Sequence, residues 1–231
     1  MEVSAGWTVS RLGGAAAELH ARGWADPALR GVTLCLPEGP ALVLGSTQDT
    51  EVVDRSRSAA AGVALVRRRT GGGMVLLRPG DLVWVDVDVP AGDRLGDDDV
   101  ARAFAWLGQA WAGAAADLGV SGPRPHPGPT EERRWGRLVC FAGLGPGEVT
   151  VRGRKLVGLA QRRTRAGARF QCALLLRWEP SALLGLLALD DAERASAAED
   201  LASAAIGLSE LGVGAGAEDV LDALLGRLPA S

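Results

Sequence analysis

Between positions 82 and 89 the side chains alternate strictly. Val83, Val85, Val87 and Val89 fall on one face, and Trp84, Asp86 and Asp88 on the other. This two-residue period predicts a half-buried β-strand. A different rhythm runs from 98 to 118, where Val100, Phe104, Leu107, Trp111, Ala114 and Leu118 recur at spacings of four and three. It predicts an amphipathic helix, capped by Asp97 or Asp98 and followed by Gly119. The apolar runs 32–36 and 41–45 predict strands joined by Pro37-Glu38-Gly39-Pro40 as a reversal between antiparallel partners. Residues 49–61 mix Asp, Arg, Ser and Ala and predict a short helix. The stretch 63–89 has apolar ends that read as strands and an Arg- and Gly-rich connection between them. Further strands are expected at 148–151 and 154–163, meeting at Arg152-Gly153, and at 169–178. The loop 121–129, rich in proline and glycine, should leave His126 in solvent. From Pro180 onward the pattern is helical, in pieces at 181–189, 191–206 and 216–228. The order implies an α+β fold, with a mixed or antiparallel sheet and helices packed on it, in a single domain over 1–231.

Composition narrows the function classes. With 47% hydrophobic and 23% charged residues the chain can bury a real core. A net charge of −3 argues against a general nucleic-acid binder. No apolar run reaches the roughly 18 residues of a membrane helix, and the start, MEVSAGWTVSRLGG, lacks the basic-then-apolar form of a signal peptide. A cytoplasmic protein with no membrane partner is expected. Cys35, Cys140 and Cys172 form neither a disulfide framework nor a zinc spacing, and His20 and His126 are too few for a histidine metal centre. No metal site is expected.

Charge chemistry singles out two stretches. Lys155 is the only lysine among 25 basic residues, and an ammonium is a point charge that arginine's planar fork does not imitate. It lies in Gly153-Arg154-Lys155-Leu156-Val157-Gly158-Leu159-Ala160, on an expected strand just past a turn. That strand either aims the ammonium at a ligand or forms an exposed cationic edge. Upstream, Arg67-Arg68-Arg69-Thr70-Gly71-Gly72-Gly73 joins two apolar strands. Glycines let backbone N–H groups approach an anion while the arginines add forked donors; otherwise the stretch is a flexible connection flanked by solvated arginines. No Lys-Ser/Thr follows, so it is not a Walker A loop. Cys140 reads as a small buried hydrophobe, and Cys35 and Cys172 likewise. The glycines at 143, 145 and 147 lack the strand and helix of a dinucleotide site.

The two motifs in this order, with Leu42-Val43-Leu44-Gly45-Ser46-Thr47-Gln48 before them and Cys140-Phe141 between, resemble the lipoate–protein ligase A / octanoyltransferase family. The resemblance runs from about residue 40 to about 178, and the tail at 180–228 is similar to the helices that close that catalytic domain. It implies a mixed, largely antiparallel sheet flanked by helices, as in the biotin/lipoate protein ligases, without a separate accessory domain. It also implies that ATP and Mg²⁺ convert lipoate or octanoate to an acyl-adenylate, from which the acyl group passes to a lysine of a lipoyl domain. In that scheme Arg68, Arg69, Thr70, Gly71, Gly72, Gly73, Gly158 and Ala160 would line the acyl and adenylate pocket. Lys155 would hold the carboxylate and later the phosphate. One branch of the family implies instead that Cys140 takes an octanoyl group from acyl carrier protein as a thioester. A non-catalytic member would bind a lipoyl, biotinyl or acyl-nucleotide ligand. The chain departs from the family pattern at Leu77, at Leu159, at Phe170-Gln171-Cys172-Ala173 and at Gly45-Ser46.

Overall fold

A computed structural model describes residues 2–4 and 6–230. The chain begins with strands β1 (Glu2–Ser4) and β2 (Trp7–Gly14), helix α1 (Ala16–Ala21), then β3 (Gly31–Pro37) and β4 (Ala41–Leu44). Helix α2 (Arg55–Ala60) leads to β5 (Ala64–Arg67), β6 (Val75–Leu77) and β7 (Leu82–Pro90). Helix α3 (Ala105–Asp117) is followed by β8 (Arg124–Pro125), β9 (Val149–Val151), β10 (Arg154–Thr164) and β11 (Gly167–Leu175). Helices α4 (Pro180–Leu184), α5 (Asp191–Ala202) and α6 (Ala217–Leu225) complete the chain.

Two sheets result. Eight strands form the larger, in the order β1-β2-β3-β7-β11-β10-β9-β8, and β5-β4-β6 form the smaller. Only the β2–β3 and β4–β5 pairs are parallel, so the sheet system is mixed and largely antiparallel, as expected. The β9–β10 hairpin turns at Arg152-Gly153 with φ of 52° and 77°. Positive φ at both central residues matches the twist of the flanking strands.

The expected β3–β4 hairpin does not form. β3 lies between β2 and β7 in the larger sheet, whereas β4 is the centre of the smaller one. Each strand already has a partner on both edges, so Pro37–Pro40 is a crossover between sheets, with Glu38 N–H donating to Gly14 O at 3.1 Å. Strand β7 also differs from expectation, because both its faces are buried. Val83, Val85, Val87 and Val89 pack with Trp111, Phe170 and Leu224 in the main core beneath α3 and α6. On the other face Arg169 forks onto Asp88 at 2.7 and 2.8 Å. Asp86 accepts from Arg22 at 2.8 Å and from the Trp84 indole at 2.6 Å. Pairing makes these buried charges tolerable, although burial still pushes the Asp86 carboxyl above its usual value.

Helix α3 starts later than its apolar stripe suggests. A 3₁₀ turn at Arg102–Phe104 precedes it, and Asp99, rather than Asp97 or Asp98, accepts from the Ala101 and Arg102 amides. Val100 is consequently outside the stripe and exposed. The three C-terminal helices occur where expected but are shorter. His126 is not solvated, since its ring is mostly covered and bonded at 2.9 Å to Pro129 O. No helix among the described residues is long and apolar enough to cross a membrane.

Candidate functional site

The second face of the larger sheet meets the smaller sheet across a narrow cleft. Antiparallel partners directly opposite one another share a face, so the register writes that face as three rows. Trp84, Ala173 and Gly158 form an apolar row, and Asp86, Gln171 and Ala160 the next. Asp88, Arg169 and Arg162 form a charged third row. Val43 from β4 and Val75 and Leu77 from β6 face the first two rows across the cleft, and His20, Arg68 and Cys140 complete its wall. Leu77, which departs from the family pattern, makes the lining more apolar, whereas Leu159, opposite Cys172, packs against the main core on the other face.

The Arg/Gly loop divides into structural and open parts. Arg67 Nη1 donates to the carbonyls of Gly45, Ser46 and Gln48. Gln48 spans the loop's far side, accepting from Gly45 N at 2.9 Å and donating to Arg137 O and Leu138 O at 3.0 Å. Arg68 folds inward, its Nη2 donating to Gly71 O at 2.7 Å and Gly73 O at 3.0 Å. A Cβ at Gly73 would sit 2.6 Å from the Cys140 nitrogen, and one at Gly45 only 1.9 Å from Gly72 O. These glycines therefore allow close backbone packing, and only Gly71 faces open space. Thr70 is buried, its hydroxyl donating to Gln171 Oε1 at 3.0 Å. Arg69 is exposed. Its charge, with that of Arg169 and the larger effect of burial, holds the Arg162 guanidinium below arginine's usual value.

Lys155 lies against the cleft wall but does not line it. Its ammonium contacts Glu148 Oε2 at 2.7 Å and donates to the carbonyls of Cys140 at 2.9 Å and Gly143 at 3.1 Å. An ammonium has three protons, and here three acceptors take them. Both members of the ion pair are buried. Glu148 also accepts from the Gly145 and Leu159 amides at 2.6 and 3.0 Å. Gly158 makes room for this arrangement, since a Cβ there would stand 3.3 Å from Lys155 Cε and 3.4 Å from the Phe141 ring. In this state the ammonium braces the turn at Cys140–Ala142 and has no proton left for a ligand.

Cys140 is partly open and lines the cleft, with Arg68 Nη2 3.9 Å from its sulfur. Cys35 and Cys172 are buried, as expected, and burial raises both thiols far above their usual range. Beside the cleft, His20 stacks on Trp84 at 4.2 Å between ring centroids. Its Nδ1 lies 3.2 Å from Gln171 Nε2. Burial, assisted by the charge of Arg68, lowers its pKa to about 4. The folded protein therefore refuses a proton that the unfolded chain accepts below about pH 6.5. Stability should fall as pH drops from about 6.5 to about 4, and that part of the slope should vanish in His20→Phe, as read by urea denaturation across this range. Equal slopes in the two proteins would show that His20 is protonated in the fold.

Of the residues singled out in the sequence, Arg68, Cys140, Gly158 and Ala160 line the same cleft. Sequence reasoning assigned no role to Glu148, which pairs with Lys155, or to His20 and Gln171, which line the cleft. An acid directly before the strand Val149–Val151 was a usable signal for Glu148, because buried carboxylates need cationic partners. Nothing in the sequence pointed to His20. Among the described residues no group of three or more His, Cys, Asp or Glu side chains could hold a metal ion.

Comparison with known proteins adds a sequence and a fold match. The model of the lipoyl protein ligase A/B catalytic domain matches residues 24–228. A bipartite lipoate protein ligase of Thermoplasma acidophilum, from a study with its E2 lipoyl domain, superposes with a TM-score of 0.73 at 17% identity, covering 95% of this chain and 81% of that one. A lipoate-protein ligase A bound with ATP gives 0.68 at 18%, covering 96% and 82%. A T. acidophilum structure with bound lipoic acid gives 0.67 at 17%, covering 95% and 83%. No curated protein sequence matches the chain. At such identities the structural likeness is one of fold.

Proposed function

The chain belongs to the lipoyl protein ligase A/B catalytic-domain family, and from that membership we propose that it activates a lipoyl- or octanoyl-sized carboxylic acid with ATP and transfers the acyl group to a lysine of a lipoyl-domain acceptor. One observation carries this reading. The cleft offers an aliphatic chain the side chains of Val75, Leu77 and Ala173, and one row beyond Ala160 it meets the cationic Arg162, with Arg69 nearby. No carboxylate among the described residues forms an ion pair with either arginine. An apolar slot ending at unbalanced positive charge suits an acyl chain joined to a phosphate. ATP, lipoic acid and an E2 lipoyl domain accompany the similar folds above, and the three are assigned to this chain on that basis.

In this proposal Arg68, Gly158 and Ala160 border the acyl group, Arg69 meets phosphate, and Thr70 with Gly71, Gly72 and Gly73 shapes the loop. Lys155 acts through the carbonyls it holds. The loop, the lysine strand and helices α4 to α6 work as one catalytic-type domain. Magnesium accompanying ATP would take most of its ligands from phosphate oxygens and water.

A second reading rests on Cys140, whose sulfur lies in the cleft near the Arg68 guanidinium. Its thiolate would attack the thioester carbonyl of an acylated carrier protein and expel the carrier thiol. The acceptor amine would then take the acyl group and restore the Cys140 thiol. Intact-protein mass spectrometry separates the two. An apo lipoyl domain incubated with this protein, octanoate, ATP and Mg²⁺ is expected to gain one octanoyl mass, and Cys140→Ala should retain the transfer. Failure of that gain, together with an acyl adduct that octanoylated carrier protein forms on this chain and that disappears in Cys140→Ala, would replace the first reading by the second.

A further inference from the structure

Lys155, the residue that the family resemblance assigns to the substrate carboxylate, has no donor to spare. Two residues of the cleft lining, His20 and Arg68, nevertheless each keep a buried nitrogen without a partner, Nε2 and Nε. We propose that these two groups receive the carboxylate of the acyl substrate, so that head-group recognition in this chain extends to His20 and Arg68. The inference rests on the reading of the cleft as an acyl site and specifies its polar end.

Three features meet there. The first is charge. Arg68 is buried, and its recorded partners are backbone carbonyls and the Cys140 sulfur, none of them an anion. A guanidinium so enclosed, with no carboxylate to balance it, favours an anionic ligand over a neutral one. The second is proton placement. Thr70 Oγ1 donates to Gln171 Oε1, which turns the amide nitrogen of Gln171 toward His20 Nδ1 at 3.2 Å. With Nδ1 accepting, the neutral ring carries its proton on Nε2. Thr70 and Gln171 are thus positioning residues that make His20 Nε2 a donor. The third is rigidity, because the stack on Trp84 holds the imidazole plane. An unpaired donor of this kind is costly when buried and becomes useful when a ligand oxygen arrives.

The chemical consequence is a preference for free carboxylates. A carboxylate can accept from the Arg68 and His20 donors together, whereas an alcohol of equal length offers a single neutral oxygen. Charge-assisted hydrogen bonds of this kind correspond to a preference of about tenfold to a hundredfold in Kd.

The test is calorimetric titration of octanoate and of 1-octanol into the wild-type protein and into His20→Phe, which keeps a ring against Trp84. The expected result is that octanoate binds the wild type at least about tenfold more tightly than 1-octanol, and that His20→Phe weakens octanoate by about tenfold or more while leaving 1-octanol unchanged. Unchanged octanoate affinity in His20→Phe would overturn the inference and leave the acyl cleft standing. If neither ligand binds the wild type, both the inference and the acyl reading fall. A second measurement on the unaltered protein does not depend on how the variant folds. With only two histidines, two-bond ¹H–¹⁵N spectra identify the His20 tautomer. A proton on Nε2 that shifts downfield with octanoate is the expected signature, and a proton on Nδ1 would overturn the assignment.

Discussion

Glu148→Ala is expected to lower folding stability by about 3–5 kcal/mol, the usual result of removing one partner of a buried ion pair. The substitution leaves the Lys155 ammonium enclosed with two carbonyls and no counter-charge. It also strips the Gly145 and Leu159 amides of their acceptor, so the loss exceeds that of a simple surface pair. The double replacement Glu148→Leu with Lys155→Met should recover only the part of this loss that comes from the unbalanced charge, because the Gly145 and Leu159 amides stay without their acceptor and the Cys140 and Gly143 carbonyls lose their donor. Urea denaturation with an unchanged m-value measures both effects. A single-variant loss below about 1 kcal/mol would mean that water reaches the pair. Acyl transfer by the double variant carries further information. Because Lys155→Met removes the donors to the Cys140 and Gly143 carbonyls, a bracing role predicts that transfer falls even where stability returns.

The second large effect concerns the loop. In Gly45→Ala the new methyl group would stand 1.9 Å from the carbonyl oxygen of Gly72, a distance no real contact permits, and the obstacle is backbone on both sides. The loop has to move, and it carries with it Thr70, whose carbonyl is bonded to Ser46 N at 2.9 Å and whose hydroxyl reaches Gln171. The Gln171–His20 contact lies at the end of the same chain of bonds. Overpacking of this sort costs about 1–3 kcal/mol, and an ångström of displacement in a reacting geometry lowers turnover by about a hundredfold. Gly71→Ala is the matched control, since nothing lies within 4 Å of a Cβ at Gly71. It should change stability by less than about 0.5 kcal/mol. Equal damage from both substitutions would show that Gly71 approaches a ligand closely and that the loop is more than scaffolding.

Much of the architecture was legible from local pattern. The turn at Arg152-Gly153, the strands on either side of it and the three C-terminal helices follow from periodicity and turn chemistry, which act over a few residues. The β3–β4 connection did not, because two adjacent apolar strands with a Pro-bounded turn look alike whether they pair with each other or part to different sheets. Strand β7 shows the same limit. Its alternation located a strand correctly, but Asp86 and Asp88 look like residues of a wet face until Arg22 and Arg169, distant in sequence, are seen to cover them.

The candidate site divides in the same way. Arg68, Cys140, Gly158 and Ala160 could be named from motif order, and all four line the cleft. What they do there depends on partners that the motifs do not contain. The sole lysine stood out in the composition, yet only the fold sets Glu148 against it. His20 was a mere count until α1 brought it onto Trp84.

By itself, then, the sequence determined the element types, the family and the chemical inventory, because propensities, turn residues and short motifs are local properties of the chain. The tertiary structure alone decided which charges are balanced and which donors stay open. Those depend on long-range pairing such as Glu148 with Lys155, and on its absence at Arg68 and His20, where the energetic balance between burial and partnership is settled by neighbours far away in sequence.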